Sequence, residues 1–314
     1  MNVSLWGWVF AIGVILALLA IDLAANRGDR SPTLRRALIA SAAWIGISVI
    51  FGLVLGAARG QVAAQQYFAA YLVEKSLSID NVFVFALLFQ GFAVPRRFQH
   101  RVLYYGVIGA LVLRAAFIAG GSVLVGRFAW ILYIFGALLV IAGIRMVFDR
   151  SEKGPERNPM VRAAQHVLSV TPEYADRHFF VRRAGRWVAT PLVIALVAIE
   201  TSDLIFATDS IPAIFGITTD VFIIFMSNAF AVLGLRALYF VFADSMHRFR
   251  YLRYGLAVLL GFIGIRMLMA DVVTISVPVS LATIVLIIST SVAASLWARP
   301  GRAVARRSRL ESPR

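Results

Sequence analysis

The amino-acid sequence predicts an all-α fold, a polytopic transmembrane bundle of about nine helices. Three observations carry that expectation. Sixty per cent of the residues are hydrophobic and only 15% are charged, the mean hydropathy is +0.82, and apolar runs long enough to cross a roughly 30 Å hydrocarbon core recur along the whole chain. The runs fall at residues 3–25, 37–57, 67–92, 101–123, 128–148, 189–215, 220–243, 252–270 and 277–298.

Taken in order, the first span lacks a basic leading region and a small-residue cleavage site and carries Asp22, so it reads as a retained helix and not a signal peptide. Asp22, near one end of that span, is expected to reach water or an arginine of the adjacent link. Residues 1–66 hold two N-terminal helices, 67–148 a first group of three, 189–271 a second group of three, and 272–298 the last span. Between the groups lies one long link, 149–188. Its start, "DRSEKGPERNPM", is charged and rich in Pro and Gly, the composition of a mobile loop. Its end, "HFFVRRAGRWVA", places two strand-like runs around Ala184-Gly185 and predicts a small hairpin.

The net charge of +15 would suggest nucleic acid in a soluble protein, but here the basic residues mark topology. Arg27, Arg30, Arg35 and Arg36 follow span 1, Arg96, Arg97 and Arg101 follow span 3, and the link after span 5 is crowded with arginine. Arg248, Arg250 and Arg253 follow span 7, and a basic tail, 299–314, follows span 9, whereas the alternate links hold almost no Lys or Arg. The positive-inside rule then predicts an N-terminus outside and a C-terminus in the cytoplasm of a cell with an inner membrane, and no nucleic-acid partner. The chain has no cysteine, which excludes disulfides, thiolate metal sites and thiol redox chemistry.

A repeat organises the two groups of three. "SIDNVFVF" (78–85) matches "TSDLIFAT" (201–208), "VLRAAF" (112–117) matches "GLRALYF" (234–240), and "AGIRMVFD" (142–149) matches "IGIRMLMAD" (263–271). Asp80 to Arg114 to Arg145 is 34 and 31 positions; Asp203 to Arg236 to Arg266 is 33 and 30. Three spans per copy force opposite orientations, so spans 3–5 and 6–8 are expected to be inverted repeats, with a site near mid-bilayer at their interface.

Charged groups sit where that site belongs. Span 3 carries Glu74 and Asp80, and span 6 carries Glu200, Asp203 and Asp209. Each would cost at least roughly 2.5–3.5 kcal/mol facing lipid on insertion scales, so they must face one another, a cation or water. Glu74, Ser78 and Asn81 share one helical face, and Glu200 and Asp203 are neighbours on another. Pro212, in "DSIPAIFG", predicts a break in span 6 that would free the Thr208 carbonyl and let Asp209 and Ser210 join the site. Asn228 adds a further oxygen donor. Arg114 and Arg236 are candidate counter-ions that pair with these acids and hold the repeats together. Lys75 should turn away from the cation and pair with an acid or reach a water-filled cavity. The donors are carboxylate, carboxamide, hydroxyl and carbonyl oxygens, and all four histidines lie in links or at their edges, so the metal classes favoured are Mg, Ca and Mn. Met226 or Met267 could add one soft contact, which tilts the choice toward Mn.

"EKSLSIDNVFVF" in span 3 and "ETSDLIFATDSIPAIFG" in span 6 resemble the two signature segments of the TerC family of membrane proteins, named for tellurium resistance. "LLAIDL" in span 1 and "SNAFAVLGLRALYF" in span 7 extend the likeness over about residues 5 to 297. The resemblance implies an exporter of Mn(II), with Glu74, Asp80, Asn81, Glu200, Asp203 and Asp209 as the metal positions. Ser78, Ser210, Asn228, Arg114 and Arg236 are expected to support that site. No resident cofactor is expected. Protons are the expected counter-ion. Two alternatives stand beside this: a Ca(II)-selective antiporter, and a tellurium-resistance or stress protein without transport activity of its own. An intramembrane enzyme is disfavoured, because no GxGD or HExxH segment occurs and no serine elbow has a histidine at membrane depth.

Overall fold

Helix boundaries in this chain follow from residues able to start or stop a helix. The computed structural model describes residues 3–25, 33–128, 130–148, 170–171, 174–175, 178–183, 186–242, 251–273 and 275–297. The charged start of the long link, the Ala184-Gly185 turn, the links 26–32 and 243–250, the basic tail and the side chain of Asp80 lie outside the described residues.

Helix α1 runs Leu5–Ala25 and α2 Leu34–Arg59, the latter capped by Thr33, whose hydroxyl accepts from the Arg36 amide. One residue, Gly60, separates α2 from α3 (Gln61–Gly91). Its φ of +90° is the reason a glycine stands there, since a Cβ would be strained at that corner. Pro95 precedes α4 (Arg96–Arg127), and α5 spans Ile131–Phe148. Strands β1 (Phe180–Arg183) and β2 (Arg186–Ala189) pair antiparallel, with Phe180 opposite Ala189 and Arg183 opposite Arg186. Thr190, whose hydroxyl donates to the His178 carbonyl, then precedes α6 (Pro191–Phe215), with Pro191 in the first turn, where its missing N–H costs nothing. Asp220 caps α7 (Val221–Leu233) by accepting from the amides of Phe222 and Ile223 at 3.0 and 3.3 Å. Helices α8 (Leu235–Phe242), α9 (Leu252–Leu268) and α10 (Val277–Trp297) complete the order.

Seven of the described helical segments are long and apolar enough to cross a membrane, one of them α7 and α8 together, and α9 is a shorter apolar helix. In α3, a 31-residue helix, the apolar run is interrupted by Glu74, Lys75 and Asp80. The outer helices present bare hydrocarbon: Trp6, Phe10 and Ile21 on α1, Ile50 and Leu53 on α2, and Leu286 on α10 are all exposed. The α7–α8 span is enclosed on nearly every side. A bundle apolar outside and closed inside is built for lipid.

One sequence expectation is corrected here. Helix α6 continues through Pro212 without a break, and Gly216 N–H returns to the Pro212 carbonyl at 3.0 Å. The proline removes one ladder bond near the helix end, while Ile211 to Phe215 are all buried; packing of that last turn outweighs the lost bond. The span expected at 220–243 is present as one apolar segment, Val221–Val241, with a one-residue turn at Gly234 dividing it into α7 and α8. A Cβ there would lie 2.6 Å from Lys75 Nζ and 3.3 Å from Trp44 Cβ, so the close approach of α2 and α3 requires glycine.

Helices α4 and α6 run parallel, with Gly106 against Ile199, Arg114 against Asp203 and Gly121 against Phe215. Helices α5 and α9 run antiparallel and touch backbone to backbone. A Cβ on Gly264 would meet the Gly136 carbonyl at 2.6 Å, and one on Gly143 would meet the Ala257 carbonyl at 2.7 Å. At the edge of the bundle the β-hairpin is tied down by Phe179, which stacks edge-on with Tyr105 at 5.1 Å. Nearby, Tyr174 donates its hydroxyl to the Phe92 carbonyl at 2.6 Å, and burial pushes that phenol above its ordinary pKa.

The α5–α9 seam makes a clear prediction. Gly264→Ala should lower the thermal unfolding temperature in detergent, by a free energy of about 1–3 kcal/mol, because the new methyl meets backbone that cannot move aside. Gly261→Ala, one turn away with open space around it, should leave that temperature unchanged or raise it through better helix propensity.

Candidate functional site

Polar residues interrupt the apolar packing at one level of α3 and α6. On α6, Leu192 to Ile199 belong to one apolar cluster and Ala207 to Phe215 to another; Glu200 and Asp203 fall between. On α3, Val73 and Leu77 belong to one cluster and Val82 to Phe89 to another, while Glu74, Ser78 and Asn81 share the face that turns between them. These three side chains are at most 1% exposed.

Arg114 of α4 enters this gap and is itself only 1% exposed. Its Nε donates to Asp203 Oδ2 at 2.9 Å and its NH2 to Asp203 Oδ1 at 2.8 Å, the fork-on-carboxylate geometry that a planar guanidinium allows. Its NH1 donates to Glu74 Oε1. Asn81 Nδ2 adds a third donor to Asp203 Oδ1 at 3.3 Å. One arginine therefore joins α3, α4 and α6 through two carboxylates.

The other half of the same donor set has no partner. Glu74 Oε2, Ser78 Oγ, Asn81 Oδ1, Glu200 Oε2 and Ser210 Oγ are buried without a hydrogen bond. Buried oxygens without partners are costly and uncommon, so their concentration on two facing helices points to a ligand that accepts oxygen lone pairs. Glu74 and Asn81 line a small cleft together with Asp209, Ser210 and Met146. Arg145 lies within electrostatic reach of Asp209. Glu200 is not part of the cleft lining; its carboxylate is seated against Gly109 of α4, where any Cβ would collide with it.

The structure thus joins Glu74, Asn81, Asp203 and Arg114 by hydrogen bonds and sets Asp209 and Ser210 along the cleft with Glu74 and Asn81; Ser78 lies on the same buried face of α3, and Glu200 is within electrostatic reach of Asp203. Asp209 and Ser210 reach the cleft from an unbroken helix, so no break at Pro212 is needed. Among the described residues no three Asp, Glu or His side chains converge on one point. Asp203, expected as a metal ligand, has both oxygens on Arg114. Asn228 is buried on α7, and the atom it leaves unpaired is its amide nitrogen, a donor and not a ligand.

Other expectations fail for local reasons. Arg236 does not join the central acids: its NH2 bonds Asp22 Oδ1 at 2.5 Å and its NH1 meets His100 Nε2 at 2.9 Å, linking α1, α4 and α8. Asp22 finds an arginine on α8, while the arginines of the adjacent link, 26–32, lie outside the described residues. Lys75 turns away from Glu74, but its Nζ donates to the Ala231 carbonyl at 3.1 Å, not to an acid. The interruption at Gly234 frees the last carbonyls of α7, and a cation at a helix C-terminus is favoured by the helix dipole. Met226 packs in an apolar cluster and Met267 against Gly216, whereas the methionine on the cleft is Met146. Met146 follows Arg145 in the repeat segment "AGIRMVFD", the signal that could have found it.

The Asp22–Arg236 pair is nearly buried, with side chains 13% and 8% exposed. Asp22→Asn should destabilise the protein by about 3 kcal/mol, because it leaves a guanidinium without its counter-ion. Asp22→Asn combined with Arg236→Gln should recover part of that loss in a detergent unfolding cycle; strict additivity would mean the pair does not couple.

Comparison with known proteins fits this membrane-embedded polar site. The family model described as "Integral membrane protein TerC family" matches residues 59–303. The chain is 45% identical over 304 residues to "Putative membrane-bound redox modulator Alx" of Escherichia coli (strain K12), covering 93% of this chain and 94% of that protein. It is 41% identical over 291 residues to "Uncharacterized membrane protein STKORF319" of Myxococcus xanthus, covering 92% and 91% of the two chains. No solved structure matches. By the reach of the family match and by relatives aligned over nearly their whole length, the chain is a multi-pass membrane protein that belongs to the TerC family.

Proposed function

We propose that this protein is a secondary transporter that exports a divalent cation, Mn(II), from the cytoplasm across the inner membrane in exchange for protons. The observation that carries the reading is the set of unpartnered buried oxygens at Glu74, Ser78, Asn81 and Ser210, set beside carboxylates at one level of the bundle. Oxygen donors of this kind suit Mn, Mg and Ca, and the Met146 thioether at the cleft favours the softest of the three. Of the metal positions expected from the sequence, this reading keeps Glu74, Asp80, Asn81, Asp203 and Asp209 as ligands, with Glu200 as a supporting carboxylate near Asp203.

The α5–α9 seam supports an inverted repeat. Under the repeat alignment Gly143 corresponds to Gly264 and Gly136 to Ala257, so the contact of Gly136 with Gly264 exchanges into that of Ala257 with Gly143. Helices that map onto each other while running antiparallel are what alternating access around a central site requires. The N-terminus outside and the C-terminus in the cytoplasm follow from the arginine distribution. The name of the Escherichia coli relative raises a redox role. Without cysteine this chain has no thiol route to one, whereas moving a redox-active metal would supply an indirect route.

The test is Mn(II) uptake into everted membrane vesicles. Wild-type protein should accumulate Mn(II) when a proton gradient is imposed, and Asp203→Asn should reduce the initial rate by at least about tenfold. Equal rates for the two would remove Asp203 from the site. Uptake of Ca(II) in preference to Mn(II) would favour the calcium antiporter, and no uptake of either would favour a membrane protein without transport activity.

A further inference from the structure

Arg114 stands where a cation would stand. It is one of the largest fully buried side chains of the molecule, and it holds both oxygens of Asp203 and one of Glu74. We propose that Arg114 is a tethered cation that competes with the transported metal for Glu74 and Asp203, leaving them for Glu200 when the metal binds. This rests on the divalent-cation reading above.

Competition follows from geometry. A hard dication takes carboxylate oxygens at about 2.0–2.6 Å. Both oxygens of Asp203 are engaged by the guanidinium, and Oδ1 also receives the Asn81 amide. A metal placed on the same carboxylate would sit within about 4 Å of a like charge, which even at an effective dielectric of 20 costs about 4 kcal/mol per unit charge. Arginine and metal therefore exclude each other there. The oxygens that Arg114 does not use, Glu74 Oε2 and Asn81 Oδ1, are the ones without partners, and both residues line the cleft. Metal entering from the cleft meets these first and reaches Asp203 only as the guanidinium leaves.

A second seat for the guanidinium is already built. Glu200 precedes Asp203 by one helical turn, and its Oε2 has no partner. Its carboxylate lies against Gly109, on the N-terminal side of Arg114 along α4. Helices α4 and α6 run parallel, so one step toward the N-terminus on both leads from the Asp203 level to the Glu200 level. Helical side chains lean toward the N-terminus, which is the direction of this step. The missing Cβ at Gly109 leaves the Glu200 carboxylate its place in that groove.

Charge favours the exchange. Without metal, Glu74, Asp203 and Arg114 sum to −1, and Glu200 stands apart. With a dication on Glu74 and Asp203 and the guanidinium on Glu200, both groups are neutral.

The experiment measures Mn(II) binding to the full-length protein in detergent, by titration calorimetry and by the electron paramagnetic resonance of free Mn(II). Arg114→Gln should bind Mn(II) about tenfold more tightly than wild type, since a competing cation is gone. Its uptake into everted vesicles should be slower, because nothing displaces the metal on release. Glu200→Gln should weaken binding in the wild-type background and have no effect on affinity in the Arg114→Gln background. A Glu200 that only ligated metal would weaken both, and that result overturns the exchange. Equal or weaker binding by an Arg114→Gln protein that elutes like wild type overturns it as well. Should Arg114→Gln fail to fold, Arg114→Lys carries the test: an ammonium cannot grip Asp203 with two parallel bonds, so tighter binding supports the proposal and weaker binding overturns it. Wild-type protein that neither binds nor moves Mn(II) defeats the transporter reading itself, whereas wild-type binding without tightening in the Arg114 variants defeats this inference alone.

Discussion

The contact on which the rest of the bundle depends is the guanidinium of Arg114 between Glu74 and Asp203. Three helices meet there, and none could bring its charge to that depth alone. Each carboxylate would carry the insertion cost of an intramembrane charge, and so would the arginine. Paired, they satisfy one another, and the apolar clusters of the protein close above and below the level they occupy. The pairing is incomplete on one side, which separates a structural ion pair from a site: the same residues that anchor α3 to α6 leave oxygens facing a cleft. A core designed only for stability would have replaced them with leucine.

The spans were legible in the sequence because hydrocarbon thickness sets helix length and little else competes with it. The polar face of α3 was legible too, since Glu74, Ser78 and Asn81 lie at spacings that a helix must place together. What could not be read was the partner of each charge. Arg114 and Arg236 occupy equivalent places in the repeat, yet one binds the central acids and the other binds Asp22 and His100. Sequence spacing fixes where a side chain starts, whereas the partner is chosen by helices far away in the chain. Pro212 misled for a related reason: the local rule predicts a break, and burial of the surrounding turn overrides it. The need for glycine at 234 was not legible either, because it comes from the approach of Lys75 and Trp44 from other helices.

The two arginines also show how a duplicated plan can diverge. Arg236 ties α8 to α1, which lies outside the repeated unit, and meets a histidine at the start of α4. Arg114 stays within the repeat and reaches its opposite half. One copy of the landmark thus secures the flanking helix and the other faces the cleft. The buried acids concentrate where the more enclosed arginine lies.

The seam between α5 and α9 has a mechanical meaning. Gly136 and Gly264, and Gly143 and Ala257, bring main chain against main chain, with Val140, Met267 and Leu268 packed around the glycines. Contact this close leaves no room for even one added methyl, so it sets the distance between the two helices. A movement that pulled them apart would open a void that no side chain of the seam is long enough to fill.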